Sequence, residues 1–325
     1  MTPLGRAAPR PTRVRLSLAQ VLNGSEVVWQ SPGPSPAGTL FVAHGCNHGG
    51  NDFWPGHAGC SHCTGLPEEV AITKAVLARN YVMLAISSQA RKTHRCWNPT
   101  LGAHDGDMNK VIGILDTLAR RQSWTGLPLY AMGASSGGAF VLTLAAHMPL
   151  AGVCSQISGV SPALLQAHHA RFEGETVGHR YPPTMFVHMP RDAKTAQLVA
   201  ADIAALAASG TPTVQILVAP SAMNATTLSD RCAPEIGKGA SAEIFKALTK
   251  QGILDAQGFL SQDPRGTAWR EALRKEELAG MESMRWAPDL SPVSEELNVM
   301  FAGHEIVSDT TGAMLDFFER AAAKA

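Results

Sequence analysis

The regular alternation of short apolar runs with helical segments constrains the fold of this chain more than any other feature of its sequence. Residues 39–43 and 81–86 are short, almost wholly apolar runs, which are typical of strands buried on both faces. Residues 105–121 instead carry apolar side chains at helical spacing, from Met108 to Leu118. Strands that alternate with helices predict an α/β fold, with a mostly parallel central sheet covered by helices on both faces.

Two runs near the start, residues 14–21 and 26–29, are separated by Asn23-Gly24. This dipeptide is typical of a tight hairpin turn, so the sheet is expected to open with antiparallel edge strands. The other predicted strands cover residues 127–132, 151–158, 184–188 and 214–218, and the other predicted helices cover residues 67–79, 193–208 and 310–323.

Residues 220–300 interrupt the alternation because they are rich in helical patterns and contain no strong strand. Helices are expected at residues 240–251 and 269–281, and residues 253–260 fit either a short hairpin or a loop. We interpret this block as a helical insertion within one domain of residues 13–325, preceded by an irregular lead-in of residues 1–12. Aromatic side chains of the insertion either line a lid over an acyl or aromatic substrate or pack within the insertion: Trp269, Trp286, Phe245 and Phe259.

The charge balance limits the classes of partner. Lys+Arg and Asp+Glu both number 27 in 325 residues, so no basic surplus indicates nucleic-acid binding. No stretch approaches the ~18 apolar residues of a membrane span. The first 15 residues carry no acid and four arginines, Arg6, Arg10, Arg13 and Arg15. This composition is typical of an organelle transit peptide, and the alternative is an irregular lead-in to the first strand. A soluble protein, cytoplasmic or organellar, is therefore expected.

The segment Gly133-Ala134-Ser135-Ser136-Gly137 has the pattern G-x-S-x-G. It follows a predicted buried strand and precedes an apolar helical stretch. A sharp strand-to-helix turn would project the Ser135 hydroxyl above the sheet, and the flanking glycines would let neighbouring backbone pass closely. The pattern in this context predicts a nucleophilic serine, and the alternative is a Gly/Ser turn that only links strand to helix.

With these features the chain resembles the α/β-hydrolase superfamily over roughly residues 25–219 and 300–323. It is similar, more narrowly, to a group of plant and algal members of that fold whose function is poorly defined. The segments that carry the narrower similarity are His44-Gly45-Cys46-Asn47, Gly65-Leu66-Pro67-Glu68-Glu69, Gly133-Ala134-Ser135-Ser136-Gly137-Gly138 and Phe186-Val187-His188-Met189-Pro190-Arg191-Asp192. The resemblance implies a fold and a catalytic triad but no substrate.

The resemblance also implies an oxyanion hole, which in this fold uses two backbone N–H groups. One comes from the residue after the nucleophile, here Ser136. The other comes from the residue after the His-Gly pair that follows an early strand, here Cys46, with Asn47 as the near alternative. A glycine-rich turn at residues 49–52 without any chemistry is the competing interpretation.

The order of triad residues in this fold is Ser, then Asp or Glu, then His. Asp192 lies just beyond the predicted strand at residues 184–188, where the acid is expected, although it also fits a helix cap. Asp230 is the reserve candidate. His304 is the only histidine after Asp192 and precedes the last helix, so it is the predicted general base.

Four of the six cysteines, namely Cys46, Cys60, Cys63 and Cys96, lie within residues 46–96, near three histidines. A disulfide among them, free thiols and a structural zinc site with His57, His62 or His94 all remain open. Cys60-x-x-Cys63 is not typical of a thioredoxin-like motif because no strand leads into a helix there. Cys154 lies in an apolar run and is interpreted as a core residue.

These residues together predict a serine hydrolase that acts on small carboxylic esters, with no cofactor and no metal. Acyl transfer, thioester hydrolysis and peptide hydrolysis would use the same triad. The alternatives are a small-ligand binding protein with slow or no turnover, and a scaffold. An intact triad argues against both. The oligomeric state is open.

Overall fold

A computed structural model describes residues 18–100, 106–165, 181–276 and 284–323. These residues contain an eight-stranded sheet in the order β1-β2-β4-β3-β5-β6-β7-β8. The strands are β1 Leu18–Leu22, β2 Ser25–Gln30, β3 Gly38–Ala43, β4 Tyr81–Ile86, β5 Leu129–Ala134, β6 Gly152–Gln156, β7 Thr184–His188 and β8 Thr213–Leu217. Neighbouring strands are parallel in every pair of the run β4-β3-β5-β6-β7-β8.

The predicted hairpin is confirmed within the described residues. Strands β1 and β2 are antiparallel and are joined by Asn23 and Gly24, whose φ angles are 48° and 81°. Positive φ at both positions is what a two-residue turn of this kind requires. Strand β2 also pairs antiparallel with β4. Of the described strands, only β2 runs opposite to the others, and a sheet of this order with a reversed β2 is the α/β-hydrolase fold, as expected.

Helices fill the connections between the strands. They are α1 Pro67–Ala78, α2 Asp107–Arg121, α3 Ser136–Leu144, α4 Ala193–Ala208, α5 Thr227–Arg231, α6 Lys238–Lys250, α7 Trp269–Lys275, α8 Pro292–Phe301 and α9 Thr311–Ala322. None of the helices in the described ranges has the length and apolarity needed to cross a bilayer.

Two hydrophobic clusters lie on opposite faces of the sheet. Along β3, Leu40 and Val42 belong to one cluster, whereas Phe41 belongs to the other, because successive side chains of a strand point to opposite faces. Helices α1 and α9 pack on the first face, and α2, α3 and α4 pack on the second. The sheet is therefore covered on both sides, as the apolar runs predicted.

The block between β8 and His304 is helical and contains α5 to α8. Its buried side chains, such as Ile244 and Leu248 of α6, belong to the same hydrophobic cluster as β3 and α1. Residues 253–260, for which the sequence left a short hairpin or a loop open, contain a single isolated bridge between Leu254 and Leu260. The insertion thus shares one core with the sheet.

Several sequence predictions lie outside the described residues. These are the lead-in of residues 1–12, the four arginines of the first 15 residues, residues 14–17 of the predicted hairpin, residue 105 of the helix predicted at 105–121, and residues 277–281 of the helix predicted at 269–281.

Candidate active site

Ser135 lies in the turn between β5 and α3. Its φ and ψ are 54° and −119°, a strained conformation for a residue with a side chain. A Cβ on Gly137 would lie 2.1 Å from the backbone oxygen of Ala43, and a Cβ on Gly133 would lie 2.2 Å from that of Gly137. Both contacts are too close for a side chain. The two glycines of the motif therefore allow the chain to turn sharply and expose the half-buried Ser135.

His304 lies in the loop between α8 and α9 and contacts Ser135 directly. Its Nε2 is 2.9 Å from Ser135 Oγ, and its Nδ1 is 2.5 Å from Asp192 Oδ2. Both ring nitrogens are therefore engaged. If Nδ1 donates to the carboxylate, Nε2 is left as an acceptor for the serine hydroxyl. Ser135, His304 and Asp192 are thus linked by a continuous chain of hydrogen bonds.

Asp192 is both a partner of His304 and the cap of a helix. It is the N-cap of α4, and its Oδ1 accepts a hydrogen bond from the Thr195 N–H at 3.0 Å. Its Oδ2 accepts one from the Thr195 hydroxyl at 2.6 Å. Burial raises the pKa of Asp192, but the bonds from Thr195 and His304 outweigh it and hold this pKa below its usual value. The carboxylate form is therefore favoured.

Asp230, the reserve candidate for the acid, lies in α5. It accepts a hydrogen bond at 2.8 Å from the Thr226 hydroxyl. Within the described ranges, no hydrogen bond or ion pair joins Asp230 to His304.

Gln156, at the end of β6, holds the His304 loop against the sheet. Its side-chain amide donates to the Val307 carbonyl at 2.9 Å and accepts from the Val307 N–H at 2.8 Å. Its backbone carbonyl accepts from the Ser135 N–H at 3.0 Å. One residue thus fixes both Ser135 and the loop of His304. Sequence reasoning missed it, although a glutamine in a buried strand was a signal.

The loop after β3 passes beside Ser135. A Cβ on Gly45 would lie 3.8 Å from Ser135 Cβ, so Cys46, the next residue, is close to the turn. The Asn47 N–H donates to the His94 carbonyl at 2.7 Å. The glycine-rich turn that follows is closed by Asp52, whose Oδ2 accepts from the Gly49 N–H at 2.9 Å.

His44 precedes this loop and is buried. Burial lowers its pKa to about 3, so the ring is neutral. Its Nε2 accepts a hydrogen bond from the Ser88 N–H at 3.0 Å, and its Nδ1 donates to the Gly45 carbonyl at 2.6 Å. His44 therefore orients backbone rather than exchanging protons.

His48, in the loop after β3, has several ionisable neighbours. His48 Nδ1 is 3.3 Å from Asp52 Oδ2. Burial lowers the pKa of His48, but the bond to Asp52 and the charges of Glu69 and Glu305 outweigh it and raise this pKa to about 9. Burial raises the pKa of Glu305, whose Oε2 accepts from Asn298 at 2.9 Å. Sequence reasoning did not find this group.

The four cysteines near the start of the chain form two disulfides, Cys46–Cys96 and Cys60–Cys63. Of the alternatives left open by the sequence, pairing is the one that the structure contains. No cluster of three or more metal-ligating side chains occurs in the ranges that the structure describes. Cys154 is free and buried, as interpreted, and burial raises its pKa to about 12.

The aromatic residues of the insertion differ in their surroundings. Trp269 is almost fully buried, and its ring centroid lies 6.3 Å from that of Trp286. Phe245 packs against the main core, whereas Phe259 is 38% exposed. Packing within the protein therefore accounts for Trp269 and Phe245.

The sequence matches no protein-family model, and no curated protein matches it significantly. Among solved structures, it is similar to the poly(3-hydroxybutyrate) depolymerase LpqC from Bordetella parapertussis, with 15% identity and a TM-score of 0.44 over 74% of this chain and 92% of that chain. It is also similar to an α/β serine hydrolase without a lid from Xanthomonas campestris, with 13% identity and a TM-score of 0.41 over 65% of this chain and 88% of that chain. An acetyl xylan esterase from Aspergillus awamori has 13% identity and a TM-score of 0.40 over 55% and 75% of the two chains. Similarity at this level does not extend to activity or substrate.

Proposed function

We propose that this protein is a serine hydrolase that acts on carboxylic esters. The observation that carries the proposal is the pair of hydrogen bonds on His304, 2.9 Å to Ser135 Oγ and 2.5 Å to Asp192 Oδ2. A nucleophile, a base and an acid that orients the base are the three parts that such chemistry needs.

In the proposed mechanism Ser135 Oγ attacks the ester carbonyl while His304 Nε2 takes the proton of the serine hydroxyl. Asp192 keeps the proton of His304 on Nδ1 and stabilises the imidazolium that forms. The alcohol leaves with the proton held by His304. A water molecule, activated by the same histidine, then releases the acid from Ser135. No cofactor is required for these steps.

The N–H groups of Cys46 and Ser136 are the proposed oxyanion donors. Three observations support this choice. The Asn47 N–H already donates to the His94 carbonyl, and Gly45 lies beside Ser135. Ser136 begins α3, where the first N–H groups have no partner within the helix. Loss of one such donor typically lowers kcat by about 10²–10³-fold.

Labelling with a fluorophosphonate probe tests the proposal. The wild type, with both disulfides intact, is expected to be labelled. A Ser209→Ala control, which changes a serine at the end of α4, is expected to be labelled as well. Ser135→Ala is expected to lose the label, because the probe reacts only with an activated serine. A folded wild type that takes no label would contradict the proposal and favour a small-ligand binding protein, which thermal-shift screening would then examine.

The exact reaction is also a hypothesis. We prefer ester hydrolysis over acyl transfer, thioester hydrolysis or peptide hydrolysis because it is the simplest use of the triad. The insertion of residues 220–300 as a lid, the similarity to plant and algal members of the fold, and a cytoplasmic or organellar location also stay predictions from the sequence.

A further inference from the structure

Residues 88–98, between β4 and α2, form a segment that we call the brace. It is bound to the loop after β3 by several contacts. The His94 carbonyl accepts from the Asn47 N–H at 2.7 Å, and Arg95 Nη1 donates to the Asn47 carbonyl at 3.1 Å. Arg91 Nη1 donates to the His48 carbonyl at 2.8 Å. The backbone on the C-terminal side of Cys46 is therefore held by the brace.

Trp97 of the brace contacts both sides of the proposed oxyanion hole. Its indole N–H donates to the His44 carbonyl at 2.8 Å, just before Gly45. Its backbone N–H is 3.4 Å from Ser136 Oγ. The ring is buried and stacks on Phe140 of α3, with centroids 4.4 Å apart. Trp97 is thus anchored to the helix that begins with the second proposed donor.

The only covalent bond between the brace and the loop is the disulfide from Cys96 to Cys46. Both cysteines are partly exposed, whereas Cys60 and Cys63 are only 2% and 8% exposed. Thiol–disulfide exchange needs access for the attacking thiolate. Of the two disulfides in the described residues, Cys46–Cys96 is therefore the one that a thiol reductant reaches more easily.

We propose that Cys96 is a positioning residue that holds the Cys46 N–H towards the oxyanion through the disulfide, so that turnover depends on the redox state of this bond. The inference rests on the proposed hydrolase function. A dithiol reductant would transfer two electrons and two protons, which converts the Cys46–Cys96 disulfide into two thiols while the dithiol becomes a disulfide. The loop would then be held by its hydrogen bonds alone. Reoxidation would restore the bond and the rate.

The experiment compares the wild type, Cys96→Ser and the double variant Cys60→Ser/Cys63→Ser with a p-nitrophenyl ester. Each protein is assayed oxidised and in dithiothreitol buffers of graded potential, and mass spectrometry after alkylation reports which disulfide is open. We expect Cys96→Ser to lose about tenfold or more in kcat, with a smaller change in KM, because an oxyanion donor acts mainly in the transition state.

The double variant is the matched control. It is expected to start near the wild-type kcat and to lose rate when Cys46–Cys96 is reduced. A Cys96→Ser kcat within twofold of the wild type would overturn the inference. If Cys96→Ser does not fold, the wild-type titration decides, because kcat must follow the opening of Cys46–Cys96 and recover on reoxidation. An oxidised wild type without turnover contradicts the hydrolase proposal itself, before any reduction.

Discussion

At the residue scale, the carboxylate of Asp192 binds both the start of helix α4 and the ring of His304. Oδ1 and Oδ2 bind Thr195 at the start of α4, and Oδ2 also binds His304. The two interpretations of this residue, helix cap and partner of the histidine, are therefore compatible. Thr195 orients the carboxylate through backbone and hydroxyl together, so the direction in which it faces His304 is fixed by the helix itself.

Asp192→Asn is expected to lower kcat for a p-nitrophenyl ester by roughly 10³–10⁴-fold, because an amide cannot hold the same tautomer of His304. The fold should persist, since asparagine also caps helices well. Asp230→Asn is the matched control and should retain kcat within about twofold. If the two variants exchanged these results, Asp230 would be the acid.

At the scale of elements, the loop after β3 is organised around His48. Its ring contacts Asp52, the charges of Glu69 and Glu305 raise its pKa further, and its carbonyl accepts from Arg91. Asp52 also closes the turn into a short 3-10 helix, Gly50–Phe53. The loop that carries Cys46 is thus held by an ion pair on one side and by the brace on the other.

His48→Gln is expected to make stability less dependent on pH. A histidine whose folded pKa is raised to about 9 stabilises the protein fully below its unfolded pKa near 6.5, and this contribution disappears as pH rises through about 9. Urea unfolding should show the variant less stable by roughly 1–3 kcal/mol at pH 6, with the difference shrinking towards pH 9.

His62→Gln is the control, because His62 pairs with Glu26 at an exposed position and should contribute little. A difference between wild type and His48→Gln that stayed constant from pH 6 to pH 9 would contradict the assigned charge of His48.

The elements themselves were largely predictable, because each carries its own pattern. The helix predicted at residues 193–208 has those bounds in the structure, and Asn23-Gly24 predicted the hairpin turn. Motif and chain order were also enough to select Ser135 and His304, whose roles remain predictions. The contributions of Gln156 and Trp97, and the pairing of the cysteines, were not predictable, since they depend on which distant segments meet after folding.

At the scale of the whole molecule, the insertion is tied to the core by arginines. Arg231 of α5 binds Glu68 of α1 at 2.8 Å, Glu296 of α8, and Asp309 at 3.1 Å. Arg285 donates to the Thr64 carbonyl at 2.8 Å. Together with the shared hydrophobic cluster, these contacts hold the insertion on the face that α1 covers.

Arg231→Met is expected to reduce the free energy of unfolding by about 3–5 kcal/mol, because it leaves the side chains of Glu68 and Glu296, 2% and 0% exposed, without their cation. Arg79→Met is the matched control. Arg79 also binds two carboxylates, but all three side chains are well exposed, so a change within about 1 kcal/mol is expected. Equal losses in denaturant unfolding would show that burial does not govern these pairs.

The contacts of the His304 loop also bear on how the protein folds. Ser135 and His304 are separated by 169 residues, and Gln156 and Val307 by 151. Contacts of such high sequence separation require closure of a long loop, which makes them slow to form. The strand pairs around β5 and β6 join residues that are closer to each other in sequence. Under the proposed hydrolase function, recovery of ester turnover in a refolding chain would therefore report docking of the His304 segment rather than assembly of the sheet.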